Sequence, residues 1–285
     1  MHIRRGIIII LLHFILSFHV LYAVARYNPA NYDEKDVNPI IIEMIGQVEF
    51  KNLSNTISHF QAYGNRYSWE KQWQAANWIE KSLKDYKIKA FIQTYEYKGK
   101  VWPNIIATIE GSDNPDQIIM LLAHFDSISD DPTKKIAPGA DDNASGVAVL
   151  MEIARILKDF PIKRTVMLCF FSNEETGRVG SEYSAHLFKM DNLNIKAVIN
   201  LDVLGYNRPK ITSPLEAVRA GYSLRNRAKI IYRAAQNSLN GLLNGSDVVK
   251  IGGRQENGNL VAVVARIFRQ YANINVKEII DDKCK

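Results

Sequence analysis

Four short polar clusters lie between positions 124 and 202, each directly after an apolar run or directly before a predicted helix. Their histidine and carboxylate side chains are of the kinds that zinc uses as ligands in catalytic sites. Metal-assisted hydrolysis also needs a nearby base that takes the proton of the attacking water. The clusters therefore predict a metal-dependent hydrolytic centre. In chain order they are His124-Phe-Asp126, Gly139-Ala-Asp-Asp-Asn-Ala-Ser-Gly146, Asn173-Glu-Glu-Thr-Gly177 and Asn200-Leu-Asp202.

The first cluster pairs an imidazole with a carboxylate one residue away. Side chains two positions apart in an extended segment point to the same face. Asp126 is therefore placed to accept the imidazole N–H and to orient His124 as a metal ligand.

The second cluster contains two adjacent aspartates before a predicted helix start. Asp141 follows Pro138-Gly-Ala140, so its carboxylate is held on a tight turn where it can bridge two metal ions. A helix N-cap is the competing interpretation for Asp141 or Asp142, because aspartate commonly accepts the first amides of a helix. Two neighbouring aspartates leave room for both roles.

The third and fourth clusters place carboxylates at the ends of apolar runs. Glu174 and Glu175 follow the run at 165–171, and Asp202 follows the run at 197–201. Neighbouring glutamates at such a junction diverge enough for one to bind metal and the other to hold water. Surface acids are the alternative, but carboxylates at the end of a buried strand need cations or water nearby.

The elements that must position these clusters alternate along the chain. Apolar runs alternating with amphipathic helices predict an α/β sheet covered on both faces, with chemistry at the carboxyl ends of its strands. His124, Glu174 and Asp202 each follow a strand and should meet at one rim. The predicted strands are 88–97, 104–109, 118–123, 165–171 and 196–201, and the predicted helices are 40–58, 68–86, 144–160, 176–189 and 260–271.

The N-terminus and the charge balance predict where the protein works. Arg4 and Arg5 precede an apolar run at 6–22, and Ala23-Val-Ala25 is typical of a signal cleavage site. We expect a secreted or periplasmic protein, with an uncleaved membrane anchor as the alternative. Cleavage lowers the formal net charge from +6 to +4, which does not indicate a nucleic-acid partner, and leaves no stable membrane association.

Together the four clusters resemble, in order and spacing, the co-catalytic zinc aminopeptidases of peptidase family M28, such as bacterial leucyl aminopeptidase and aminopeptidase Y. The resemblance covers roughly residues 66–206. It implies a three-layer α/β/α sandwich around a mostly parallel mixed sheet and peptide substrates. It also implies two zinc ions, with His124 and Asp202 on one, Glu175 on the second, Asp141 between them, Glu174 as general base and Asp126 behind His124.

The family's remaining ligand is a histidine in a late loop, and no histidine follows His186 here. We therefore expect an incomplete C-terminal part, or a site with one zinc or none. The alternatives are a single-zinc enzyme similar to glutaminyl cyclases and a non-catalytic module that binds peptides or a partner. The expected division is a signal at 1–25, a lead and helix at 26–65, the zinc peptidase core at 66–210 and a basic helical segment at 211–285.

Overall fold

The computed structural model describes residues 38–129, 137–204, 248–253, 262–263 and 275–280. The predicted signal at 1–25 lies outside these residues. The chain divides into two compact units, one of residues 43–206 and the other of residues 1–42 with 207–285. Across the described ranges, no helix is both long and apolar enough to cross a membrane.

Residues 39–200 contain helices, a hairpin and then alternating strands and helices, as the apolar periodicity predicts. The predicted helix at 40–58 is two helices, separated at residues 47–49. The elements are α1 (Pro39–Gly46), α2 (Phe50–Ala62), α3 (Trp69–Asp85), β1 (Lys89–Tyr97), β2 (Lys100–Ile109), β3 (Asn114–His124), α4 (Ala144–Leu157), β4 (Arg164–Phe171), α5 (Val179–Met190) and β5 (Asn194–Asn200).

These strands form one mixed sheet with the order β1-β2-β4-β3-β5. The pairs β3–β4 and β3–β5 are parallel, whereas β1–β2 and β2–β4 are antiparallel. Only β2 therefore runs against the other four strands. The predicted mostly parallel mixed sheet is confirmed, and the carboxyl ends of β4, β3 and β5 lie side by side.

Helices cover both faces of the sheet. On one face, α2, α3 and α4 bury Phe60, Ile79 and Leu150 against sheet residues that include Leu168. On the other, Phe188 of α5 packs in a second cluster with Met120, Met167 and Cys169. Alternate residues of β4 thus belong to different cores, as the period of two in a strand requires. The predicted three-layer α/β/α sandwich is confirmed.

Side-chain caps fix where two of these helices begin. The hydroxyl of Ser68 accepts the N–H of Lys71 at α3, and the amide oxygen of Asn143 accepts the N–H of Gly146 at α4. Both residues are among the types preferred at this position. The cap at Asn143 sets the start of α4 directly after the two aspartates of the second cluster.

Sequence analysis did not predict the strands of the C-terminal segment. The structure has a parallel pair, β6 (Val248–Gly253) and β7 (Asn275–Ile280), in the second compact unit. β6 lies in a Gly- and Asn-rich stretch, whose composition disfavours strand. Of the predicted helix at 260–271, the structure describes residues 262–263 as helical, and the rest of that helix lies outside the described residues.

Candidate functional site

The site lies at the carboxyl ends of three adjacent parallel strands. His124 is the last residue of the central strand β3 and is 4% exposed. Glu174 follows β4 on one side, and Asp202 follows β5 on the other. Asp142 reaches the same place from the turn before α4. The strand order therefore brings the four sequence clusters to one rim, as the sequence predicts.

Three of these side chains form a group with the geometry of a metal site. The Nε2 atom of His124 lies 3.2 Å from Asp142 Oδ1 and 3.5 Å from Asp202 Oδ1. One ligand atom from each residue falls within 4.8 Å of the other two. Two ligands at about 2.1 Å from a tetrahedral zinc are about 3.4 Å apart. The donor set and its spacing therefore fit zinc.

The carboxylate beside His124 comes from Asp142, whereas sequence analysis chose Asp141. Asn143 supplies the N-cap of α4, so neither aspartate has that role. The backbone carbonyl of Asp141 accepts the Ser145 hydroxyl at 2.6 Å, and Asp142 is the aspartate that lies within 3.2 Å of His124. The turn thus directs the second aspartate to His124. We replace Asp141 by Asp142 in the candidate ligand set.

Asp126 joins the ends of β3 and β4. Its side chain is fully buried, and its two oxygens accept the backbone N–H groups of Glu174 and Glu175, each at 3.1 Å. Its Oδ1 atom also lies 3.4 Å from His124 Nδ1, a buried atom that has no hydrogen-bond partner among the described residues. Sequence analysis placed Asp126 behind His124 but missed its contacts with the glutamates. One carboxylate thus orders both clusters.

A buried polar network supports the turn that carries Glu174 and Glu175. The backbone N–H of Ser172 donates to Asn104 Oδ1 at 3.1 Å, and that of Asn173 donates to Gln72 Oε1 at 3.3 Å. The Nδ2 group of Asn173 donates to the Tyr95 hydroxyl at 2.9 Å. Sequence analysis missed these residues. The available signal was Asn104, a polar residue between the apolar pairs Trp102-Pro103 and Ile105-Ile106.

The carboxylates around His124 create a site that favours a positive charge. Burial alone would lower the pKa of His124, but Asp126, Asp142 and Asp202 outweigh it and raise the pKa to about 12. The interaction with His124 holds the pKa of Asp142 below its usual range. A metal cation at Nε2 would take the place of the imidazole proton.

The two glutamates differ from ordinary surface acids. Burial, followed by repulsion from Asp142 and Asp126, raises the pKa of Glu175 to about 7. Burial also raises the pKa of Glu174, and the positive charge of His124 opposes that change. Carboxyl groups with raised pKa values beside a metal-ligand group are suited to exchanging protons near neutral pH.

The comparisons with known proteins agree on the fold. The structure superimposes on LapB from Legionella pneumophila with a TM-score of 0.64 at 21% identity, covering 94% of this chain and 65% of that one. It superimposes on the LapA aminopeptidase of the same organism with a TM-score of 0.62 at 20% identity, covering 87% of this chain and 61% of that one. These likenesses show that the chain shares the fold of these two proteins.

Sequence comparison gives more specific relatives. A probable zinc metalloprotease of Pyrenophora teres f. teres is 28% identical over 190 residues, which cover 58% of this chain and 41% of the relative. A probable leucine aminopeptidase of Arthroderma otae is 34% identical over 192 residues, covering 62% and 51%. The chain thus spans about half the length of these curated relatives. The family model of peptidase family M28 matches residues 104–247, which is half of the chain and contains all four polar clusters, so the chain belongs to peptidase family M28.

Proposed function

We propose that this chain is a zinc-dependent aminopeptidase that removes N-terminal residues from peptides. The observation that carries the proposal is the close group of His124 Nε2, Asp142 and Asp202 beside the half-buried Glu174. Membership of family M28 supports peptide hydrolysis. The leucine aminopeptidase among the relatives supports attack at the N-terminus.

In this proposal His124, Asp142 and Asp202 hold a zinc ion. When bound, zinc would polarise the scissile carbonyl and lower the pKa of a water molecule in the site. Asp126 fixes the backbone of Glu174 and Glu175 through both of its oxygens, so the distance from the glutamates to the ligand group is held by a buried contact.

Glu174 is the proposed general base. Its carboxylate takes a proton from the attacking water and returns it to the nitrogen of the departing amine. Its raised pKa favours this exchange, because a base works best when its pKa is near the operating pH. Glu175 is the proposed residue that would hold a second ion together with Asp142, whose negative charge is near enough to raise the pKa of Glu175.

The number of ions is also part of the proposal. The first site has three candidate ligands within 4.8 Å of one another, whereas Glu175 is not in that group. We propose one zinc bound tightly at His124 and a second, if bound, held more weakly.

The test is hydrolysis of leucyl anilide by the zinc-loaded chain, compared with the N-acetylated anilide. Turnover of the free-amine substrate alone supports an aminopeptidase. Turnover of a C-terminally free, N-blocked dipeptide would indicate a carboxypeptidase instead. Cyclisation of an N-terminal glutamine would indicate a cyclase, and peptide binding without turnover would indicate a binding module.

We further propose that the protein is exported, on the basis of the signal pattern at residues 4–25. Expression with the native N-terminus tests this proposal. An exported product that begins at Arg26 would support cleavage after Ala25. A product retained in the membrane with residues 1–25 intact would support an anchor.

A further inference from the structure

Arg66 is the largest fully buried side chain in the described part of the chain, with 0% exposure. Its guanidinium donates four hydrogen bonds to described residues, and all four go to backbone carbonyl oxygens. Nε donates to Phe125 at 2.7 Å, Nη1 to Phe60 at 3.0 Å and to Pro138 at 2.7 Å, and Nη2 to Gly139 at 2.8 Å. A buried guanidinium with these four partners holds the backbone of the neighbouring segments in place.

Three of the four carbonyls that Arg66 contacts belong to the two segments that carry candidate ligands, and the fourth, that of Phe60, lies in α2. Phe125 lies between His124 and Asp126, and Gly139 begins the turn that ends at Asp142. One planar group therefore holds the end of β3 and the turn before α4 at a fixed spacing. That spacing decides whether His124 Nε2 and the Asp142 carboxylate can reach the same ion.

Further contacts reinforce the same junction. The backbone N–H of Arg66 donates to the Ser127 hydroxyl at 3.2 Å, which in turn donates to the Ala137 carbonyl at 2.6 Å. The backbone N–H of Ala137 donates to the Gly64 carbonyl at 2.8 Å. The segment 64–66 thus joins residue 127, shortly after β3, to residue 137, shortly before the turn that carries Asp142.

Arginine suits this position better than lysine does. Its planar fork offers five N–H donors in fixed directions, whereas lysine offers a point charge with three rotatable donors. Gly139 permits the close approach, because a Cβ atom there would lie 2.7 Å from Arg66 Nη2 and 2.4 Å from the Asp142 carbonyl. Burial lowers the pKa of Arg66 to about 10, while Asp126 and Asp142 oppose this, so the group stays charged at neutral pH.

We propose that Arg66 is a positioning residue that sets the spacing between His124 and Asp142 and thereby the metal affinity of the site. The inference rests on the proposed function for its metal. It assigns no contact with substrate to Arg66. This role differs from general stabilisation of the fold. It predicts that a substitution of Arg66 weakens zinc binding by more than the accompanying loss in the free energy of unfolding can explain.

The test compares Arg66→Lys with Arg155→Lys. Arg155 also bonds a backbone carbonyl, that of Gln47, and pairs with Glu152 at 2.8 Å, but it lies in the last turn of α4. Arg155 lies twelve residues along the helix from Asn143, and twelve residues of helix correspond to a distance of about 18 Å along the helix axis. Zinc affinity is measured by competition with a chelator, the site geometry by the visible absorption of bound Co²⁺, and stability by denaturant unfolding.

We expect Arg66→Lys to weaken zinc binding by about tenfold to a hundredfold, the range found for groups that support metal ligands. Its Co²⁺ spectrum should also change. Arg155→Lys should lower stability and leave both metal readouts as in the wild type. Zinc affinity in Arg66→Lys within about twofold of the wild type, or equal weakening in both variants, would overturn the inference.

A wild-type chain that binds no zinc would defeat the proposed function without deciding the role of Arg66. Hydrogen exchange of the Ala137 and Ala144 amides then decides it, because both amides are bonded within this junction. Faster exchange in Arg66→Lys than in Arg155→Lys, each compared with the wild type, supports the positioning role. Equal exchange in the two variants refutes it.

Discussion

At the scale of single residues, Glu174 is the residue on which turnover should depend most. Its backbone is fixed by Asp126, and its half-buried carboxylate lies beside the ligand group. Glu174→Gln keeps the shape of the side chain and removes its ability to accept a proton. We expect kcat for leucyl anilide to fall by about 10² to 10⁴ with zinc affinity unchanged.

The matched control is Glu182→Gln, which makes the same chemical change on the exposed surface of α5. It should leave kcat as in the wild type. Undiminished kcat in Glu174→Gln would remove Glu174 as the base, whatever the metal content of the variant.

Sequence reasoning reached the correct clusters but not each residue within them. The choice between Asp141 and Asp142 depends on which residue caps α4, and Asn143 takes that role. Periodicity locates a helix start to within a few residues, so it does not resolve two adjacent aspartates on a turn. The double contact of Asp126 with Glu174 and Glu175 depends on how two strand ends meet, which no local pattern encodes.

At the scale of elements, Glu152 joins α4 to α2. It is buried, and its carboxylate accepts the Glu49 N–H at 2.8 Å, the Asn52 amide at 3.2 Å and the Arg155 guanidinium at 2.8 Å. Burial favours a higher pKa for Glu152, but these hydrogen bonds outweigh it and hold the pKa below its usual range. The carboxylate therefore stabilises the fold only while it is ionised.

A depressed pKa in the folded state gives stability that is present above the unfolded pKa of about 4.3 and lost as the pH falls through the folded pKa. We expect Glu152→Gln to lower the free energy of unfolding by roughly 1.5–3 kcal/mol at pH 7. The difference from the wild type should shrink below about pH 4. Urea unfolding from pH 7 to pH 3 measures it, with the exposed Glu96→Gln as control, and a pH-independent difference would contradict it.

The contact of α4 with the end of β5 leaves no room for a side chain at Gly146. A Cβ atom there would lie 2.3 Å from the Leu201 carbonyl and 2.4 Å from Asn143 Oδ1. We expect Gly146→Ala to lower stability by about 1–3 kcal/mol through overpacking. It should also weaken zinc binding, because Leu201 adjoins Asp202.

Gly46→Ala is the control for this substitution, since a Cβ atom at Gly46 meets nothing within 4 Å. It should be neutral or stabilise the protein by up to about 1 kcal/mol. Thermal unfolding and zinc competition compare the two variants. Equal stability of the two would show that the backbone at Gly146 can move away from Leu201.

At the scale of the whole molecule, the alternation of apolar runs was sufficient to predict the layers and the direction of most strands. The prediction succeeded because β4 and the second half of β3 are apolar runs largely buried under helices, and the edge strand β5 still has an apolar run at 197–199. It missed the first four residues of β2, the first four of β3 and the pair β6–β7. Residues 100–103 pair with β1 across a hairpin, and such pairing depends on a partner strand and not on local hydropathy.

The same architecture predicts that zinc stabilises the unit at 43–206. The three candidate ligands come from β3, the turn before α4 and the end of β5, so unfolding would separate them. A ligand at a hundredfold excess over its Kd adds about 2.7 kcal/mol to stability. We expect a chelator to remove this increment from the wild type and to have no effect on His124→Ala. A melting temperature that does not respond to zinc would contradict the proposed site.

The number of zinc ions bound per chain, with its affinity, in the wild type, Asp142→Ala and Asp141→Ala decides whether the proposed metal site exists. We expect at least one tightly bound zinc in the wild type. We also expect loss of that zinc in Asp142→Ala and its retention in Asp141→Ala, because Asp142 Oδ1 lies 3.2 Å from His124 Nε2. No zinc in the wild type, or loss in Asp141→Ala with retention in Asp142→Ala, would contradict it.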